Sequence, residues 1–149
     1  MPLYLDDVED GWKHSFGRIE VRRDEVIDFA RRFDPQDFHL DDDAAARGPF
    51  GTLTASGWHT AAMGMRMIVD EWSKLDMRSL GSPGIEAINF LKPVRPGDVL
   101  TSELELLDRR PSNSRPDRVI AKFRQALRNQ NDDVVFTARH ICFFPRKPV

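Results

Sequence analysis

Nine consecutive residues, Phe33-Asp34-Pro35-Gln36-Asp37-Phe38-His39-Leu40-Asp41, hold three carboxylates and one imidazole. A carboxylate and an imidazole five positions apart, across a short turn, can face one cleft. Sharing one water, they would form an acid/base pair. Pro35 disfavours helical geometry for the residue before it, so a preceding helix should end at Phe33 or Asp34. Asp34 then sits at the negative end of a helix dipole, and the expectation is a raised carboxyl pKa. A polar loop with a helix-capping aspartate is the plainer alternative. The stretch alone does not separate the two.

Elements on both sides must position these residues. Upstream, Asp24 is placed to cap a helix whose apolar positions Val26, Ile27, Ala30 and Phe33 recur at steps of three and four. Before it, Ser15 to Val21 reads as a strand through Phe16, Ile19 and Val21, and the segment to about His14 is expected to run over the surface. Downstream, Asp41-Asp42-Asp43 before Ala44-Ala45-Ala46 reads as an N-cap and acidic first turn, a structural role. Arg47 to Gly51 then breaks the chain.

The longest helical pattern is expected from Thr54 to about Trp72. Ala55, Trp58, Ala62, Met65, Val69 and Trp72 recur on one stripe, and Ala61, Met63, Gly64, Met67 and Ile68 make the rest apolar too. A helix apolar nearly all round should be wrapped rather than laid on a core. Beyond it the period changes to two. Ile85 to Phe90, Val99 to Leu107, Val119 to Leu127 and Val134 to Phe144 read as four strands of an antiparallel meander. Pro-marked Lys92 to Asp98, polar Arg109 to Asp117 and Asn129 to Asp132 connect them. This is an α+β order: a curved antiparallel sheet of about five strands wrapped around a long central helix. The exposed sheet edge invites dimerisation.

The totals exclude several classes. A chain of 149 residues is read as one domain, 1–149, with about 14 N-terminal and 5 C-terminal residues peripheral. With 22 Lys and Arg against 24 Asp and Glu, nothing marks a nucleic-acid or membrane-surface partner. No apolar run is long enough for a membrane span, and the acidic N-terminus lacks signal-peptide character, so a cytoplasmic protein is expected. Cys142, the one cysteine, lies in an apolar run and reads as a small core residue. His39 has acidic neighbours but no second histidine at ligand spacing, so no metal is expected. His14, His59 and His140 read as structural or exposed.

Taken together, these residues resemble the MaoC-like acyl dehydratase branch of the hotdog superfamily, which includes the (R)-specific enoyl-CoA hydratases. Asp34, His39 and Asp41 match the hydratase motif, and Phe50-Gly51 and Ser56-Gly57 match the glycine turn that opens the central helix. Gly84-Ile85-Glu86 and Lys92-Pro93-Val94-Arg95-Pro96-Gly97-Asp98 resemble a family strand and its connection. The likeness covers most of Phe16 to Phe144. The chain departs from the pattern at Gln36-Asp37, where the hydratases usually carry Asn-Pro, and at Ser56, where they commonly carry histidine.

The resemblance implies a hotdog fold and water addition to, or loss from, an acyl thioester on CoA or an acyl carrier, with no further cofactor. Asp34 and His39 would be catalytic, the Gly57 backbone N–H would serve as oxyanion hole, and Ser56 would touch substrate. A homodimer, or a higher oligomer, is implied as well. Lys92, Arg95, Arg109, Arg110, Arg115 and Arg118 offer charge for coenzyme phosphates, with none singled out. Two alternatives stay open at this point: a hotdog thioesterase, and a non-catalytic acyl-CoA-binding protein.

Overall fold

In the computed structural model, which describes residues 1–149, five strands form one antiparallel sheet. They are β1 (Lys13–Glu20), β2 (Gly84–Phe90), β3 (Val99–Pro111), β4 (Arg118–Arg128) and β5 (Val134–Pro145). Between β1 and β2 lie α1 (Arg23–Phe33), α2 (Asp37–Leu40), α3 (Asp42–Ala46) and the long α4 (Gly57–Lys74). The alternating positions of β3, β4 and β5 bury Leu100, Leu104, Leu106, Phe123, Leu127, Phe136 and Phe144 in one core with Met63, Met67, Ile68 and Trp72 of α4. Each large side chain so buried contributes roughly 1.5–3 kcal/mol before entropy is counted.

Strand order is β1-β3-β4-β5-β2, which corrects the expected meander of the last four strands. Only β3 to β5 follow one another. β2 crosses to the far edge and pairs with β5, Ile85 opposite His140 and Phe90 opposite Phe136. The Lys92–Asp98 connection is too long and too rich in proline for a tight hairpin. It crosses the fold instead. Val94 is buried and accepts the Ala55 N–H, and Val21 bonds Asp98 and Gly97 at the end of β1.

α4 begins at Gly57, not Thr54: Ser56 has non-helical backbone angles and caps it, and the Thr54 and Ala55 N–H groups bond the Phe38 and Val94 carbonyls. Its buried stripe is also not the expected one. His59, Thr60, Met63, Gly64, Met67, Ile68 and Trp72 face inward, while Trp58, Met65 and Val69 are 59%, 40% and 51% exposed. Arg66 and Asp70 mark the outer face, but the apolar Trp58, Met65 and Val69 share it, so the hydrophobic pattern alone does not give the inward phase.

Smaller corrections follow the same logic. α1 starts at Arg23, so Asp24 lies inside the first turn, where its carboxylate meets the Glu25 N–H rather than capping the helix. Phe33, at the other end of α1, points outward and packs on Phe29. The N-terminal segment is not merely superficial: Leu5 is 1% exposed, and Arg109 donates to the carbonyls of Leu5 and Val8. Asp41 caps α3 as expected, accepting from the Ala44 N–H at 3.0 Å. In β1, Gly17 adopts a φ of 80° at a register shift, and a Cβ there would lie 2.8 Å from Met67 Sδ. Glycine lets β1 close on α4.

Candidate active site

Asp34 and His39 meet, as their spacing predicts. α1 ends at Phe33, Asp34 is its C-cap residue, and the single turn of α2 brings His39 back beside it. The His39 Nδ1–H donates to the Thr54 carbonyl at 2.6 Å. A carbonyl can only accept, so Nδ1 carries a proton, and in the neutral form of the ring Nε2 presents a lone pair. That Nε2 stands 3.5 Å from Asp34 Oδ2. Two acceptors thus converge at a separation where one water could donate an O–H to each.

Ser56 joins this pair to the central helix. Its Oγ accepts from the Trp58 N–H at 3.2 Å, the N-cap bond of α4, and its hydroxyl donates to Asp34 Oδ2 at 2.7 Å. Gln36 Nε2 donates to Asp34 Oδ1, also at 2.7 Å. These bonds overturn the expected rise in the Asp34 pKa. Burial does push the carboxyl upward, but the Ser56 and Gln36 hydrogen bonds and the nearby His39 outweigh it, and the net shift is downward. Local donors win over the dipole of α1.

Gly57 is the first residue of α4 and lines the same cavity as Asp34 and His39, about 410 Å³ in volume. The first N–H groups of a helix have no partner within it, and Ser56 satisfies that of Trp58. The Gly57 N–H has no such cap. A Cβ at Gly57 would fall 2.7 Å from the Phe90 ring, so packing also requires glycine. Trp58, Phe90 and Phe50 form much of the apolar wall.

Of the six basic residues near turns, only Lys92 lines this cavity, and it pairs with Asp133 at 3.2 Å. His14 bonds Glu71, His59 is buried against the Phe29 ring, and His140 is buried in the sheet. Cys142 is a buried core residue whose thiol burial pushes up to about 11. Sequence reasoning missed the Thr54 carbonyl and the Gln36 donor. The first is backbone and carries no residue-type signal; the second stood in the motif as a departure.

A five-stranded antiparallel sheet curved on a long helix is the hotdog architecture. A protein of Mycobacterium tuberculosis described as having a double hotdog fold superposes with a TM-score of 0.73 at 17% identity, covering 99% of this chain and 45% of that one. The model of the MaoC like domain matches residues 11–124, so the chain belongs to the MaoC-like family. It resembles the MaoC-like dehydratase of Rhodospirillum rubrum, at 37% identity, 99% coverage of both chains and a TM-score of 0.86. It is also 30% identical over 118 residues to the 3-hydroxybutyryl-CoA dehydratase of Methylorubrum extorquens, covering 76% of this chain and 69% of that protein.

Proposed function

We propose that the protein is a hydro-lyase that adds water to a 2-enoyl thioester, or removes it from the 3-hydroxyacyl product. The observation that carries this reading is the convergence of Asp34 Oδ2 and His39 Nε2 beside the N-terminus of α4. In the hydration direction Asp34 and His39 hold one water between them. Asp34 takes one of its protons as the oxygen attacks C3, and the other stays on the new hydroxyl. His39 relays the first proton to C2, so one O–H bond and the C2=C3 π bond break, and one C–O and one C–H bond form. Charge that develops on the thioester oxygen is met by the Gly57 N–H and the positive end of the α4 dipole. Ser56 is a positioning residue in this scheme rather than a substrate ligand, because its hydroxyl is spent on Asp34.

The substrate is an acyl thioester on CoA or an acyl carrier, and the working unit is a homodimer. β2 lies at a sheet edge with Ile85 and Phe90 exposed, next to the exposed Trp58, Met65 and Val69 of α4. A second copy paired along β2 would cover that apolar face. A panel of 2-enoyl-CoA substrates tests the reaction: loss of the conjugated enone absorbance without release of free CoA supports hydration. Thiol release with the enone intact points instead to thioester hydrolysis. Thermal stabilisation without turnover points to an acyl-binding protein.

A further inference from the structure

Three positions beyond Gly57 on α4, Thr60 lines the same cavity of about 410 Å³ as Asp34 and His39. Residues three apart share one face of a helix, and helical side chains lean toward the N-terminus. The Thr60 side chain is therefore carried back toward Gly57, where the helix presents an uncapped N–H.

Thr60 is 3% exposed, and a hydroxyl so buried is ordinarily hydrogen-bonded. Its backbone N–H is satisfied, donating to the Ser56 carbonyl at 3.0 Å. Its Oγ1 has no partner in the chain, and unlike His59 Nδ1 and Trp72 Nε1 it is not sealed off in the packing. The other buried polar residues of the cavity, His39 and Thr54, bond each other through Nδ1 and the Thr54 carbonyl. Asp34 Oδ2 and the neutral His39 Nε2 are acceptors, so neither can meet a growing negative charge. The cavity is left with one buried hydroxyl that has a hydrogen to give and nothing in the chain receiving it.

We propose that Thr60 is a catalytic residue of the hydration, its hydroxyl donating to the thioester oxygen together with the Gly57 N–H. This assignment rests on the hydratase reading of the site. As water adds to C3, charge gathers on the thioester oxygen, which has two lone pairs to satisfy. One backbone donor meets one of them, and a side-chain donor from the next turn of α4 meets the other. The hydrogen stays on Oγ1 throughout, so the bonds made and broken in the reaction are unchanged. Because the charge exists only on the way to product, the hydroxyl acts on turnover more than on binding.

Thr60→Val keeps the shape of the side chain and removes the donor, whereas Thr60→Ser keeps the donor. With a 2-enoyl-CoA, Thr60→Val should lose about 10²-fold in kcat, the cost of one oxyanion donor, with KM little changed. Thr60→Ser should retain most of the turnover. Acetoacetyl-CoA supplies a readout that needs no turnover. Its enolate carries the same charge on the thioester oxygen and absorbs in the near ultraviolet, so the enolate fraction of the bound ligand reports the donors directly. Thr60→Val should lower that fraction and Thr60→Ser should restore it. Should Thr60→Val not fold, Thr60→Ala takes its place in both measurements.

An unchanged kcat in the folded variant would overturn the proposal. If the unaltered protein hydrates no enoyl-CoA, the hydratase reading fails, and the enolate spectrum decides the role of Thr60 by itself. A bound enolate that loss of the hydroxyl weakens supports the donor. An enolate fraction indifferent to the substitution, or no enolate bound to the unaltered protein, overturns it.

Discussion

Ser56 Oγ lies 2.7 Å from Asp34 Oδ2 and donates to it while accepting the Trp58 N–H. One hydroxyl therefore both starts the central helix and holds the carboxylate ionised. Ser56→Ala should cost about 1 kcal/mol through the lost cap. It should also move the Asp34 pKa upward, toward the ordinary carboxylate value. Urea denaturation measures the first effect. The acid limb of the rate profile measures the second, and should shift to higher pH.

The sign of the Asp34 shift sets a stability prediction. Its folded pKa is depressed, so the ionised carboxylate stabilises the fold above the unfolded value of about 3.9. That contribution is lost as pH falls through the lower, folded value. Denaturant titrations at successive pH values should show Asp34→Asn losing less stability on acidification than the unaltered protein.

Gly57 separates packing from chemistry. A methyl group there meets the Phe90 ring at 2.7 Å, and Gly57→Ala should lower turnover by about tenfold or more with the secondary structure intact. Adding Phe90→Leu relieves the clash. If the defect lies only in packing, activity returns in the double variant. If the methyl blocks thioester approach to the Gly57 N–H, it does not, and the latter is the expected outcome.

The Gln125 side chain links Gly64 and Ser102 to His140 inside the core. Gln125→Leu leaves His140 Nε2–H unpaired in an enclosed position. It should destabilise the protein by about 1–3 kcal/mol in urea denaturation.

The exposed face of β2 predicts association. Ile85→Lys adds a charge at the centre of the apolar face proposed to meet a second copy. Sedimentation velocity should show a dimer for the unaltered chain and a monomer for the variant.

The pairing of Asp34 with His39 was legible because Pro35 stops α1 and a turn of four residues fits between the motif positions. Alternation was legible in β3, where buried Leu100, Ser102, Leu104 and Leu106 alternate with more exposed neighbours. It was legible too in the rest of β4 and β5 outside Gln125–Leu127 and Val135–Ala138, which are buried on both faces. The direction of the Asp34 shift was not: its strongest donor, Ser56, is 22 positions away. The inward phase of α4 was hidden because Trp58, Met65 and Val69 are apolar yet share the exposed face with Arg66 and Asp70. The position of β2 was hidden because nothing local distinguishes a strand beside β3 from one beside β5.

The central claim is tested most directly by hydration of a short 2-enoyl-CoA, followed by loss of enone absorbance, with Asp34→Asn and the unaltered protein side by side. Turnover by the unaltered protein and a loss of about 10²–10⁴-fold in the variant, with its circular dichroism unchanged, is the predicted result. Comparable hydration rates in the two proteins would contradict it.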